Sequence, residues 1–94
     1  MTKIFKYPLE FSAEKMDIKV RMPLGAKVLS VGLQRSGIFN DEGIVIWAEV
    51  DDINTTDYRY FSCVLTGQNF SLIGWRFVGT VQFTNGIVAH IYEA

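Results

Sequence analysis

The feature that most constrains the fold is a hairpin signal near the end of the chain. Two runs rich in β-branched and aromatic residues, at positions 77–84 and 87–93, flank the dipeptide Asn85-Gly86. Such a two-residue Asn-Gly loop is the strongest short-range hairpin signal. It would place His90, the single histidine, opposite Val81. The same register would put His90 on one face with three apolar or aromatic side chains: Phe83, Val88 and Tyr92.

The rest of the chain has the same β character. Helical periodicity is almost absent, and short runs of Val, Ile and aromatic residues alternate with turn residues. Hydrophobic residues make up 49% of the 94 residues, enough for a packed core. We predict a single all-β domain over residues 1–94, either a small antiparallel β-sandwich or a partly open barrel of about six to eight short strands.

Alternation predicts which side chains face the core. Residues 16–22 alternate without interruption, so we expect Met16, Ile18, Val20 and Met22 to face inward and Asp17, Lys19 and Arg21 to face water. The same rule puts Tyr58 and Tyr60 on one face of their strand, with Arg59 and Phe61 on the other. It also places Leu29, Val31 and Leu33 together on one face of their strand.

Proline and glycine mark edges, bends and turns. Pro8 confines the first strand to a sheet edge or a bend, because proline cannot donate to a ladder. We predict turns at residues 23–26 and 67–69, and bulges or bends at Gly74 and Gly79. The segment 35–43 is too long for a tight turn and is expected to be a mobile loop.

Charge is nearly balanced overall but unevenly distributed. The net charge is −1, with +4 in residues 1–35 and −5 in residues 36–94. This balance argues against general nucleic-acid binding and against membrane-surface binding. The asymmetry fits solvated strand faces, complementarity between subunits, or a basic anion-binding face. With one cysteine and no apolar run long enough for a membrane helix, we expect a cytoplasmic protein.

The residues that usually carry catalysis are isolated from one another. His90 and Cys63 are the single members of their types, and a mid-strand Cys63 should have a raised thiol pKa. Asp51, Asp52 and Asp57 lack the spacing of a calcium loop. We therefore predict no enzymatic activity, no metal and no cofactor, and a structural, hydrogen-bonded role for His90.

Aromatic side chains exceed what a core of this size requires, since they form 14% of the chain. Most should be buried, and the rest could form a subunit interface or stack on a planar ligand beside cationic side chains. The candidate ligand-binding residues are Lys27, Trp47, Tyr58, Arg59, Tyr60, Trp75, Arg76 and His90.

Two motifs resemble those of a family of short phage-encoded proteins of unknown function. They are the start Lys6-Tyr7-Pro8 and the turn Met22-Pro23-Leu24-Gly25-Ala26-Lys27. Similar segments follow in the same order: Ile46-Trp47-Ala48-Glu49-Val50-Asp51, Thr66-Gly67, Val78-Gly79-Thr80-Val81-Gln82 and Val88-Ala89-His90-Ile91-Tyr92-Glu93.

The resemblance implies a biological setting and does not imply a chemical activity, because the family has no assigned activity. A phage accessory protein in the host cytoplasm would fit counter-defence, by sequestering a nucleotide-derived immune signal within a homo-oligomer. The alternative is a protein–protein interaction module that inhibits a host defence protein or is a minor virion component. Both are expectations from association alone.

Overall fold

The computed structural model describes residues 1–36 and 41–94, and those residues form seven β-strands and no helix. The strands are β1 (Thr2–Leu9), β2 (Asp17–Pro23), β3 (Lys27–Ser36), β4 (Asp41–Asp51), β5 (Thr56–Leu65), β6 (Arg76–Gln82) and β7 (Val88–Glu93). The prediction of an all-β antiparallel fold is therefore confirmed. No helix in the described part of the chain is long and apolar enough to cross a membrane.

Two antiparallel sheets pack face to face. One has three strands in the order β1-β4-β3, and the other has four in the order β2-β5-β7-β6. Between them lies a core contributed by both sheets: Leu9, Met22, Ala26, Ile44, Ile46, Ala48, Val50, Phe61, Cys63, Val81, Ala89 and Ile91. Strand β1, which carries Pro8, lies at a sheet edge as expected.

The predicted faces of β2 and β5 are confirmed. Met22 and Phe61 are buried, Ile18 and Val20 pack against the core, and the charged residues of β2 are exposed. Tyr58 and Tyr60 point away from the core on the outer face of the four-stranded sheet, because they alternate with buried Phe61. The turn at residues 23–26 also forms, closed by a hydrogen bond from the Ala26 N–H to the Pro23 carbonyl at 3.1 Å.

The predicted face of β3 is wrong at one position. The pairing of β3 with β4 shifts register between Val28 and Ser30, which leaves Leu29 as the extra residue of a β-bulge. Val28 therefore joins Val31 and Leu33 against the core, and Leu29 is exposed. A bulge reverses the alternation on one side of it, which simple period-two reasoning cannot anticipate.

The closing hairpin forms, but its predicted register is wrong by one residue. The Phe83 carbonyl accepts from the Gly86 N–H at 3.0 Å, and the Phe83 N–H donates to the Ile87 carbonyl at 2.8 Å. The loop thus has three residues, 84–86, and Gly86 takes the positive φ of +92°. This is the three-residue hairpin in which glycine adopts the left-handed conformation after a turn. His90 consequently pairs with Thr80 instead of Val81.

The segment 35–43 is less irregular than expected. Arg35 pairs with Glu42 and Ser36 with Asp41, so both ends of the predicted loop belong to strands. The prediction of mobility at residues 37–40 lies outside the described residues. A bulge beside Gly79 is confirmed by the register shift between Phe77 and Gly79.

Two carboxylates, one half-buried and one exposed, tie separate segments together. Glu42 accepts hydrogen bonds from the Thr84 hydroxyl at 2.7 Å and from the Thr84 N–H, joining β4 to the closing hairpin. Asp52 forms an ion pair with Lys3 at 2.7 Å, joining the loop after β4 to β1. The hydrogen bond from the Thr84 side chain lowers the pKa of Glu42, and the one from Lys3 lowers the pKa of Asp52.

These two carboxylates predict a loss of stability in acid. A carboxyl group whose pKa is lowered by folding stabilises the native state above its ordinary pKa, and that contribution disappears as the pH falls. We expect the urea midpoint to fall between about pH 5 and about pH 3. Glu42→Gln and Thr84→Val should each make this decrease shallower, because the first removes the titrating carboxyl group and the second removes the hydrogen bond that it accepts from the Thr84 hydroxyl. If the pH dependence of both variants were the same as that of the wild type, the assignment would be contradicted.

Candidate ligand-binding groove

An open groove of about 690 Å³ follows the edge strand β2, and we call it the β2 groove. It lies where β2, at the edge of the four-stranded sheet, approaches the end of β1. Its lining residues are Pro8, Glu10, Lys15, Asp17, Ile18, Lys19, Val20, Arg21, Tyr60 and Trp75. The volume is within the range of small-molecule sites in proteins.

Two aromatic side chains line the groove. Tyr60 is 51% exposed because alternation along β5 directs it away from the core. Trp75 follows a turn closed by the hydrogen bond from its N–H to the Leu72 carbonyl at 3.1 Å, which places it just before β6. Both are among the predicted ligand-binding residues, and the fold brings them together from positions 15 residues apart in the sequence.

Three cationic side chains line the same groove: Lys15, Lys19 and Arg21. In the ladder, Lys19 lies opposite Tyr60 and Arg21 lies opposite Tyr58. The Lys19 Nζ is 4.5 Å from the centroid of the Tyr58 ring, and the Arg21 Cζ is 5.1 Å from it. Cations at this distance over an aromatic face are attracted by the ring. Within residues 1–36 and 41–94, neither cation has a carboxylate in ion-pair contact.

Sequence reasoning missed these cations as site residues, although the signal was present. The alternation of Asp17, Lys19 and Arg21 indicated their exposed face, but it could not indicate that β5 would set Tyr58 and Tyr60 beside them. Two carboxylates, Glu10 and Asp17, also line the groove, and Asp17 accepts a hydrogen bond from the Ser62 hydroxyl. The groove can therefore offer stacking surfaces and cationic donors to a planar anion.

A buried carboxylate accounts for two other predicted residues. Glu93 is 2% exposed, and its Oε2 accepts from the Arg59 Nε at 2.7 Å while its Oε1 accepts from the Arg76 Nη2 at 2.6 Å. The Arg59 Nη1 donates to the Ala26 carbonyl at 2.8 Å. All three guanidinium nitrogens of Arg59 are thus engaged within the protein. This geometry favours a structural role for Arg59.

The central position of Glu93 was not anticipated from the sequence. Alternation along β7 offered a signal, since Ala89, Ile91 and Glu93 share one face and the first two are completely buried. A carboxylate on a core face requires a charged partner, because burying an unpaired charge is very costly. Arg59 and Arg76 were the two arginines available in the acidic part of the chain.

Lys27 and Trp47 lie on the other sheet. Trp47 projects from the outer face of the three-stranded sheet, since it alternates with Ile46 and Ala48, which are fully buried. Its ring covers Gly32, where a β-carbon would lie only 3.1 Å from the ring. Lys27 begins β3 opposite Glu49. Neither residue lines the β2 groove.

His90 lies on the outer face of β7 between two threonines. Its Nε2 is 2.8 Å from the Thr66 hydroxyl, and its Nδ1 is 3.0 Å from the Thr80 hydroxyl. The hydrogen-bonded histidine expected from the sequence is confirmed. Val88 and Tyr92 share its face of β7 as expected, whereas Phe83 packs against the core instead. Cys63 is 5% exposed, and burial raises the pKa of its thiol, as expected.

Comparison with known proteins gives one match. Residues 1–94 match the family described as Domain of unknown function (DUF7352). The chain belongs to that family. No curated protein and no solved structure matches it. The family match covers every residue that lines the groove as well as the arginine pair around Glu93, and it assigns no activity to either of these sites.

Proposed function

We propose that this protein binds a nucleotide-derived anion in the β2 groove without transforming it. The observation that carries the proposal is the convergence of Tyr60 and Trp75 with three cationic side chains in one open groove. An aromatic side chain stacks on any nucleobase, and lysine and arginine pair with phosphate oxygens.

The arrangement of the groove suggests how such a ligand would lie. A base would stack on Tyr60 or Trp75, and its phosphates would extend toward Lys19 and Arg21 along β2. A cyclic dinucleotide or an ADP-ribose derivative has the required combination of planar rings and negative charge. Glu10 and Asp17 would disfavour phosphates placed near them, which gives the groove a direction.

The biological setting is part of the same proposal. The sequence motifs resemble those of phage-encoded proteins, and a small binding protein produced during infection could remove a nucleotide immune signal from the host cytoplasm. A homo-oligomer would present several grooves. Sequestration of this kind needs affinity rather than catalysis. This fits the positions of His90 and Cys63, since His90 lies on the outer face of β7 and Cys63 lies in the core.

A thermal-shift screen with cyclic dinucleotides and ADP-ribose derivatives tests the proposal. A ligand at 100 times its dissociation constant should stabilise the folded state by about 2.7 kcal/mol. Trp47→Phe leaves Trp75 as the single tryptophan, so its fluorescence should report occupancy of the groove. Chromatography of each incubated nucleotide should show no product. If no nucleotide raises the melting temperature, sequestration is refuted. If any nucleotide is converted to a product, a purely binding role is refuted.

Substitutions can locate the site. Tyr60→Ala should weaken binding by about 1–3 kcal/mol, the usual contribution of a stacked base. Lys19→Ala should weaken it as well and should reduce its salt dependence. Phe5→Ala and Lys27→Ala are matched controls, because they remove an exposed aromatic residue and an exposed cation outside the groove. Equal losses in test and control variants would contradict the location.

A second candidate function rests on a different surface. Phe70 and Phe77 are more than half exposed, and their rings lie 5.6 Å and 5.4 Å from that of Tyr92 on the outer face of the four-stranded sheet. We call these three residues the aromatic patch. Exposed apolar patches commonly mark protein interfaces. This patch supports the alternative of an interaction module and also supports self-association.

Light scattering separates these possibilities. If a second copy covers the aromatic patch, the wild-type protein should be oligomeric and Phe77→Lys should shift it to a monomer. If the patch serves another protein, the wild type should be monomeric at micromolar concentration. An oligomer that survives Phe77→Lys would exclude the patch as its interface.

A further inference from the structure

A second cavity, separate from the β2 groove, opens at one end of the space between the sheets. Its volume is about 380 Å³. Strand residues Leu9, Ile44 and Leu65 contribute to its walls, and the turn at residues 12–15 and the closing hairpin loop flank its mouth. We call it the end cavity.

The lining of the end cavity is mostly apolar. Hydrophobic side chains from both sheets line it, together with Phe83 and Ile87 of the closing hairpin and the buried Cys63. Its polar lining residues are Ser12, Asn85 and Glu42. An apolar cavity of about 150 Å³ is known to stay dry and to bind a benzene-sized molecule. A cavity of this larger volume can accept a longer apolar body.

One charge distinguishes the end cavity from a plain hydrophobic void. Among the described residues that line it, Glu42 is the single one with a charged side chain. The hydroxyl and the N–H of Thr84 bind mainly its Oε1, with Oε2 3.4 Å from the Thr84 N–H. These hydrogen bonds lower the pKa of Glu42 and keep it ionised near neutral pH. Arg35 is its cross-strand neighbour, but none of the ion pairs in the described part of the chain joins the two.

We propose that the end cavity binds a small amphiphilic amine, whose apolar body enters the cavity and whose ammonium group pairs with Glu42. The lining selects against a highly polar ligand, since polar groups would lose hydration without replacement hydrogen bonds. The carboxylate at the cavity selects against an anionic head and favours a cationic one. This ligand class is opposite in charge to the anion proposed for the β2 groove. Either binding proposal can therefore be refuted without refuting the other.

Three six-carbon probes with matched bodies test the proposal: hexylamine, hexanol and hexanoate. Methyl-labelled protein should show saturable chemical-shift changes at Ile44, Leu65 and Ile87 with hexylamine. Hexanol should bind more weakly at the same methyl groups, and hexanoate should bind at least about tenfold more weakly than hexylamine. Equal affinity for hexylamine and hexanoate, or no saturable change at these methyl groups, would overturn the proposal.

Two variants complete the test. Glu42→Gln keeps an acceptor for Thr84 but removes the charge, so it should abolish the preference for the amine while retaining hexanol binding. Leu65→Trp should fill the cavity and abolish binding of all three probes. If Leu65→Trp does not fold, alkylation of Cys63 in the wild-type protein provides the test instead. A bound probe should slow this alkylation, which mass spectrometry measures. Persistence of the amine preference in Glu42→Gln, or unchanged alkylation with saturating hexylamine, would contradict the assignment.

Discussion

Replacement of Glu93 by alanine is expected to lower the free energy of unfolding by about 3 kcal/mol or more. Glu93 is 2% exposed and binds Arg59 and Arg76 through its two carboxylate oxygens. Removing it leaves the Arg59 guanidinium, which is 27% exposed, without its counter-ion beside the core. A loss of that size is a large fraction of the stability of a small domain. Urea denaturation of the two proteins measures it.

The two arginines provide graded controls for Glu93. Arg76 is 67% exposed, so Arg76→Ala should cost only about 1 kcal/mol or less, as is usual for an exposed partner. Arg59→Ala should cost more, because it also removes the hydrogen bond to the Ala26 carbonyl. A Glu93→Ala protein as stable as Arg76→Ala would show that the buried carboxylate is not the centre of this network.

A second large effect is expected at Gly79, where β6 packs closely against Val31 of β3. A β-carbon added at Gly79 would lie 2.5 Å from the Val31 Cγ1, far inside the usual contact distance of carbon atoms. Gly79→Ala should therefore destabilise the protein by about 1–3 kcal/mol through overpacking. The measurement is again the free energy of unfolding by urea.

A partner substitution should relieve this clash. Val31→Ala removes the Cγ1 that the new methyl group would meet, so the double variant should be more stable than the sum of the single effects by about 1 kcal/mol. Gly43→Ala is the matched control, since a β-carbon there would be 3.8 Å from its nearest neighbour, the Gln34 carbonyl oxygen. Additive effects in the double variant would rule out the close approach as the cause.

Much of the fold was predictable because it rests on local pattern. Alternation in residues 16–22 gave the buried face of β2, and Pro8 indicated an edge strand. Both inferences need only the period of a strand and the missing N–H of proline. The hairpin was predictable for the same reason, although its register was not, because Asn-Gly occurs in both two-residue and three-residue loops.

The candidate groove was only half predictable. Tyr60 and Trp75 could be proposed from composition, but their meeting with Lys15, Lys19 and Arg21 depends on which strand pairs with β5. Arg59 and Arg76 were proposed as cationic donors to a planar ligand stacked on surface aromatic residues. The structure places both against Glu93, which no local pattern links to them.

The sequence by itself determined the class of this protein: an antiparallel β fold, the inward faces of its regular strands and the position of its closing hairpin. These follow from side-chain periodicity and turn chemistry, which act between residues near each other in the chain. Only the tertiary structure decided the strand order, the bulge at Leu29, the burial of Glu93 and the gathering of aromatic and cationic side chains along β2. Those features arise from contacts between distant segments, where packing and the cost of burying a charge select one arrangement among many that share the same local pattern.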